Sequence, residues 1–525
     1  MKINYYRYIL LVYISLFFSF SAFSQQFVKG VIYADANGNG KFDKNEKTLP
    51  NVSVSNGVSV VQSNQAGEYS LPVGEDNVIF VIKPSGYQVQ INENNLPQYY
   101  YIHNPKGNPD LKYKGVKATG RLPKSLDFGL VPQAESEEFK ILVFGDPQVY
   151  NEKDVAYFKK GVVEELKNSK EYSFGISLGD MVGNKPDLFR PYIDVIKEVG
   201  IPWYHVMGNH DMNFDVPGDS LSDISFKAHF GPNNYSFNVG KVHFIVLDDI
   251  IYQGENAKKP YIGGLREDQL QFVENDLKFV PKDYLIVLNV HIPFVNHGKH
   301  AIREKDNLRL FAALKDFPHT FSMSAHTHYQ KQIFIDKSFG WQQDKPHHHY
   351  NVATTSGNWY SGELNEHGVP YATMVDGTRK GYAAVSFKGN QYVVDYHVSG
   401  QPKDEKLHVF MPKVVEKKKT PKANIYVNYY LGSERDSIEF RVDDGEWVKM
   451  TKVETFDPQL LVDVLKWDTA DSLLKGSRPS DPNMSSHIWV YPLPSHLEKG
   501  AHTVQIRVKD MYGRVSISEK SYKIN

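Results

Sequence analysis

Three apolar runs set the rhythm of the middle of the chain, and each is cut off by an acid or an amide: KILVFGDPQ (140–148), SFGISLGD (173–180) and WYHVMGNHD (203–211). Runs this short and this uniformly apolar predict strands buried on both faces. Between them, DVAYFKKGVVEELKN (154–168) and PDLFRPYIDVIKEVG (186–200) repeat apolar residues at three- and four-residue spacing, which predicts amphipathic helices; REDQLQFVENDLKFV (266–280) repeats the pattern later. Strand and helix in alternation predict a layered α/β unit over about 137–412. In such sheets a polar residue at the carboxyl end of a strand stands where ligands bind.

The flanks have a different period. Between 25 and 132 short runs such as FVKGVIYA, GEYSLPV and VIFVI are separated by turn residues, which predicts a small β-sandwich. After the basic, Pro-containing stretch KVVEKKKTPK (413–422), expected to be an exposed linker, alternating runs such as NIYVNYY, HIWVYPL and HTVQIRVKD predict a second sandwich filling 413–525. No chemistry stands out in it, and a fibronectin-like packing module is the expectation. Residues 1–24 carry Lys2 and Arg7, an apolar core and Ala22-Phe23-Ser24, the pattern of a cleavable secretory signal. The expected location is the bacterial periplasm or exterior, with no membrane span in the mature chain.

At 525 residues the chain is too long for one core, which agrees with three units. Lys and Arg number 60 against 61 Asp and Glu, so no overall field draws the protein to nucleic acid or anionic membrane. There are no cysteines, which excludes disulfides and thiolate metal sites.

The candidate chemistry lies in the polar residues that end the strands: Asp146 with Gln148, Asp180, Asn209-His210-Asp211, His291, and His326 with His328. Carboxylate, amide and imidazole together suit divalent ions of intermediate hardness, and Asp180 could bridge two of them. Two such ions roughly 3.5–4 Å apart can bind a phosphoryl oxygen and share a hydroxide for in-line attack. His210 is the candidate acid for the departing oxygen, with Asp211 expected to hold its ring in the right tautomer.

This order of Asp-x-Gln, Gly-Asp, Gly-Asn-His-Asp, His and Ala-His-x-His resembles the calcineurin-like metallophosphoesterase superfamily, in a bacterial subfamily with added N- and C-terminal β domains. The resemblance implies an α/β fold: a four-layer sandwich of two mixed sheets flanked by helices, with all-β sandwiches at both ends. It implies one metal held by Asp146, Gln148, Asp180 and His328, and a second by Asp180, Asn209, His291 and His326, the ions being manganese, iron or zinc. The chain departs from the usual pattern at Gln148, where most members have His, and at Ala325, where most have Gly. A neutral amide oxygen is a harder ligand than imidazole and turns the first site toward manganese, magnesium or ferrous iron. A similar Asp-x-Gln occurs in diphosphatases of the superfamily, so a diester or pyrophosphate is expected ahead of a monoester. The substrate would be a phosphorylated small molecule or a glycan or lipid headgroup. The competing expectation is an inert phosphoesterase scaffold serving as a calcium-stabilised surface binding protein.

Three further features are open at this level. Residues 35–46 place Asp35, Asn37, Asn39, Lys41 (through its carbonyl), Asp43 and Glu46 at the ligand positions of a calcium loop with Gly40 at the sharp turn, or else form a metal-free polar hairpin. Trp359, in Asn358-Trp359-Tyr360, would either stack on a substrate group or seal an interface with the C-terminal unit. His347, His348 and His349 would bind adventitious metal or belong to a loop and strand start.

Overall fold

The computed structural model describes residues 25–418 and 423–525; the proposed signal, residues 1–24, lies outside them. The core of the molecule is two mixed sheets packed face to face. The first runs in the order β3-β2-β1-β10-β11, where β1 is Glu138–Phe144, β2 Phe174–Leu178, β3 Trp203–Val206, β10 Gly381–Lys388 and β11 Gln391–Val398. β1, β2 and β3 are parallel, and β10 and β11 add on antiparallel. The second sheet runs β4-β5-β6-β7-β9-β8, with β4 Tyr235–Val239, β5 Val242–Val246, β6 Leu285–Asn289, β7 Thr320–Ser324, β8 Lys331–Ile335 and β9 His347–Asn351; its parallel centre is β5 to β6 to β7 to β9.

Aromatic side chains fill the space between the sheets. Phe139, Phe174 and Phe387 of the first sheet meet Phe244 of the second at ring-centroid distances of 6.4, 5.3 and 5.6 Å, all edge to face. Helices cover the outer faces: Phe158 of α1 (Glu152–Phe158) sits edge-on to Phe144 and stacks on Tyr192 of α2 (Phe189–Ile196). The four-layer α/β sandwich is therefore present. The helix expected over 154–168 does not continue as one cylinder: it widens to a π-turn at Lys159–Val163 and ends in a 3-10 turn. Gly161 lies in that turn against Lys380, where a Cβ would come within 2.7 Å of Nζ.

The N-terminal unit is two four-stranded sheets, and it is docked rather than tethered. Lys83 is buried against Glu135 at 2.6 Å and donates to the Asn238 carbonyl, while Phe80 packs edge-on to Phe272 of the helix Glu267–Asp276. In the C-terminal unit, strand Leu407–Phe410 already pairs with Asn424–Tyr429, so that sheet begins before residue 413. Within the stretch expected to be a linker, Val414 and Val415 pair in parallel with the last strand, Val515–Ile524. This unit also contains a helix, Pro458–Asp468, that apolar alternation did not reveal; Asp457 caps it and Pro458 occupies its first turn.

Candidate metal centre

The polar residues that end the strands meet at one edge of the sandwich. Asp146 and Gln148 follow β1, Asp180 follows β2, Asn209 to Asp211 follow β3, His291 follows β6, and His326 and His328 follow β7. Close approach of these loops requires glycine at two points. A Cβ on Gly208 would lie 2.1 Å from the Asp180 nitrogen, and one on Gly179, whose φ is +95°, would lie 2.4 Å from His291 Nδ1.

Asp180, His291 and His326 gather ligand atoms within 4.8 Å of one another. His291 Nδ1 lies 2.8 Å from the Leu178 carbonyl, an acceptor only, so that nitrogen carries the proton and Nε2 presents its lone pair. Facing that lone pair are Asn209 Oδ1 at 3.0 Å, His326 Nδ1 at 3.2 Å and Asp180 Oδ2 at 3.3 Å. Lone pairs aimed at one another repel unless a proton or a metal ion lies between them. Burial opposes charge on His291, yet the Asp180 and Asp146 carboxylates hold its pKa up at about 10, so a cation of some kind is favoured there.

The other half of the centre shows the same need. Asp146 Oδ1 and Gln148 Oε1 are buried with no hydrogen-bond partner, and burial pushes the Asp146 carboxyl well above its ordinary range. His328 donates from Nδ1 to the Gly357 carbonyl at 3.1 Å, which leaves Nε2 to ligate. Burial pushes His328 down to about 4 and His326 to about 3, so both are neutral imidazoles, the form that binds metal. Oxygen and nitrogen donors of this kind fit a pair of divalent cations.

Five of the seven proposed ligands have left-handed backbone: Asp146 at φ 34°, Gln148 at 38°, Asp180 at 50°, His326 at 71° and His328 at 54°. Such residues cost about 1–3 kcal/mol each and persist where surrounding bonds fix them. Here the Gln148 N–H donates to the Asp180 carbonyl at 2.7 Å, the His326 N–H to Asp146 Oδ2 at 3.0 Å, and the Thr355 N–H to the Gly145 carbonyl at 2.7 Å. Ala325 is not left-handed, so alanine there meets no backbone penalty.

The expectation for Asp211 is corrected. Its carboxylate turns into the loop and accepts the Gly208 N–H at 2.8 Å and the Val182 N–H at 3.1 Å, satisfying backbone donors that would otherwise be buried unpaired. The partner of the His210 ring is Asn184, whose Oδ1 lies 2.7 Å from Nδ1. Asp249 was also missed: it accepts the His291 and Ile292 N–H groups and so fixes the backbone of a proposed ligand. An acid pair directly after the apolar run FIVL was the signal for it. His347, His348 and His349 lie on β9, buried and hydrogen-bonded to Ser322, Gln332 and Tyr392, which makes them packing residues.

In the loop at 35–46, Asp35, Asn37, Asn39, Asp43 and Glu46 turn inward. Asp43 Oδ2 accepts both the Asn37 and Asn39 amides at 2.8 Å, and Glu46 accepts the N–H groups of Ala36 and Asp43. The flanks are a strand, Gln26–Ala34, and a bridge from Tyr33 to Thr48, not helices.

Residues 139–330 match the family model of the calcineurin-like phosphoesterases, and 36–116 and 349–515 match the models of the N- and C-terminal parts of the same phosphoesterases. The chain belongs to the calcineurin-like phosphoesterases. Membership makes it a metal-dependent hydrolase of phosphate esters. Among solved structures, this phosphoesterase is similar to the purple acid phosphatase PPD1 from yellow lupin (Lupinus luteus) seeds, at 10% identity and a TM-score of 0.36 over 67% of each chain. It is also similar to GAP50, the anchor in the inner membrane complex of Plasmodium, at 16% identity and a TM-score of 0.31 over 50% of this chain and 85% of that one. No curated protein matches it.

Proposed function

We propose that this phosphoesterase is an exported two-metal hydrolase that favours phosphodiesters or pyrophosphates over monoesters. The observation that carries the reading is the convergence of the ring nitrogens of His291 and His326 with the side-chain oxygens of Asn209 and Asp180, beside the unpartnered oxygens of Asp146 and Gln148. Asp180, grouped with His291 and His326 and bonded through its carbonyl to the Gln148 N–H, would be the residue to hold both ions. When bound, the pair of cations supplies Lewis-acid polarisation of the phosphoryl group and a water nucleophile at neutral pH. His210, with its Nδ1 proton fixed by Asn184, offers Nε2 to protonate the departing oxygen. The diester preference is supported by the Asp146-Pro147-Gln148 pattern, which resembles the Asp-x-Gln of diphosphatases in the superfamily. Export is supported by the signal pattern of residues 1–24, and among the described residues no helix is long and apolar enough to cross a membrane.

The deciding experiment is turnover of bis(p-nitrophenyl) phosphate and p-nitrophenyl phosphate by the purified chain loaded with manganese. Metal-dependent cleavage of the diester at the higher kcat/KM is expected, and cleavage of neither would end the reading. The carboxylates of Asp35, Asp43 and Glu46, folded back over the loop at 35–46, support a separate structural calcium site. Calcium should raise the thermal midpoint of the protein, Glu46→Ala should abolish that rise, and ester turnover should not change.

A further inference from the structure

Within residues 351–360 every side chain but one is buried; the exception is Trp359, 46% exposed. Trp359 also has a left-handed backbone, φ 49°, followed by Tyr360 at 52°, a conformation a bulky aromatic residue rarely adopts. The turn is locked from below. The Tyr360 hydroxyl donates to the Pro147 carbonyl, the Asn358 N–H to the Ala372 carbonyl, and a Cβ on Gly357 would fall 1.8 Å from the same Ala372 oxygen. Strain and exposure at one large apolar side chain, on an otherwise buried and rigid loop, point to a functional role for that side chain.

Its neighbour says what that role is. The indole stacks on the ring of the proposed ligand His328, with centroids 4.3 Å apart and planes 29° from parallel. One face is thus covered by the metal centre's own imidazole while part of the ring remains open to solvent. Sealing the C-terminal unit falls to other residues: Ser480 bonds to Asn358, and Gly362 and Glu363 pair with Gly476 and Ser477.

We propose that Trp359 is a stacking platform for a neutral planar ring, a nucleobase or aryl group, carried by the organic part of the substrate. This rests on the two-metal reading for where the phosphate sits. An aromatic platform could also take a quaternary ammonium. That alternative is disfavoured, because a cation over this indole would stand next to a centre whose donor set calls for two divalent cations. Stacking of a base on an aromatic side chain is worth about 1–3 kcal/mol, which is about a fivefold to 150-fold difference in affinity.

The test is calorimetric binding of three probes to the manganese-loaded full chain: adenosine 5′-monophosphate, ribose 5-phosphate and phosphocholine. The nucleotide should bind at least about fivefold more tightly than ribose 5-phosphate. Trp359→Leu, which keeps an apolar cover on His328, should erase the difference, and Trp359→Phe should retain most of it. Equal binding of nucleotide and ribose 5-phosphate, a difference that survives in Trp359→Leu, or a preference for phosphocholine each overturns the proposal. Because the readout is binding, a nucleotide preference without diester turnover would sustain the platform while the hydrolase reading failed.

Discussion

Asn184 holds His210 at both ends of the residue: its backbone N–H donates to the His210 carbonyl at 3.0 Å, and its side-chain oxygen lies 2.7 Å from Nδ1. An amide oxygen only accepts, so Nδ1 carries a proton in either charge state and Nε2 is the nitrogen that gains or gives one. Asn184→Ala should therefore act through the proton delivered to the leaving group. We expect turnover of esters with alkyl leaving groups to fall by roughly tenfold to 100-fold, at or below the low end of the roughly 100-fold to 10,000-fold that a whole general acid contributes because His210 itself remains, and p-nitrophenyl esters to lose much less. Equal losses on the two classes, measured as kcat, would remove His210 from the acid role and Asn184 from its support.

Gly208 separates two loops that each bring a proposed ligand. A methyl group there would meet the Asp180 nitrogen at 2.1 Å and Oδ1 at 2.3 Å, both within the turn that the Asp211 carboxylate clamps. Gly208→Ala must push Asp180 away, and a shift near 1 Å in a reacting centre costs on the order of 100-fold in rate. Gly218 provides the comparison: its backbone is extended, at φ −179°, and nothing lies within 4 Å of its would-be Cβ. Gly218→Ala should leave metal content and turnover unchanged, while Gly208→Ala should lose both.

The legibility of this molecule in its sequence follows the range of the forces involved. The strands that carry Asp146, Asp180 and Asn209 were readable because a buried parallel strand must be apolar throughout and the polar residue after it breaks the run. The helix at 458–468 was not, since Leu461, Val462 and Leu465 are exposed and its apolar residues do not form one clean stripe. Asp211 was misassigned because adjacency in sequence says nothing about which way two side chains turn; the unpaired N–H groups of Val182 and Gly208 decided it. Asn184 drew no notice in the sequence because an isolated Asn between two apolar segments carries no local pattern; its φ of 61° and its bond to the His210 ring appear only in the fold. Val414 and Val415 sit in a basic segment whose composition reads as linker, yet they pair with a strand about a hundred residues away, a contact no local pattern encodes.

His205 on β3 contributes a pH dependence of known sign. It is buried against Phe230, with ring centroids 4.2 Å apart, its Nε2 has no partner, and burial pushes its pKa down to about 3. The unfolded chain, with an ordinary imidazole, binds a proton below about pH 6.5 that the folded chain refuses. Stability from this residue is therefore complete above that pH and is lost progressively as pH falls toward 3, about 2 kcal/mol of it by pH 5. His205→Phe should shrink the drop in unfolding free energy between pH 7.5 and 5.0 by about that amount, measured by urea denaturation. An unchanged drop would mean that His205 is hydrated or protonated in the folded protein.

Gln148 decides whether the first metal position is built for an ion at all. The side chain is buried in a strained left-handed turn, its Nε2 donates to the Tyr150 hydroxyl at 3.3 Å, and its Oε1 is left with no partner. An orphaned buried oxygen costs about 1–3 kcal/mol, so without a cation to receive it the amide is a liability. Replacing it with an apolar residue of similar length then has opposite consequences in the two states of the protein. Gln148→Leu should make the metal-free chain more stable, because the unpaired oxygen is gone, and should weaken the rise in thermal midpoint that manganese produces. Metal content after dialysis should fall from two ions per chain toward one. Gln148→His should keep two ions and shift the preference from manganese toward zinc, as an imidazole nitrogen replaces a hard oxygen. If Gln148→Leu leaves both the manganese-dependent stabilisation and the metal content intact, the amide is not a ligand and the first ion must be held by Asp146, Asp180 and His328 alone.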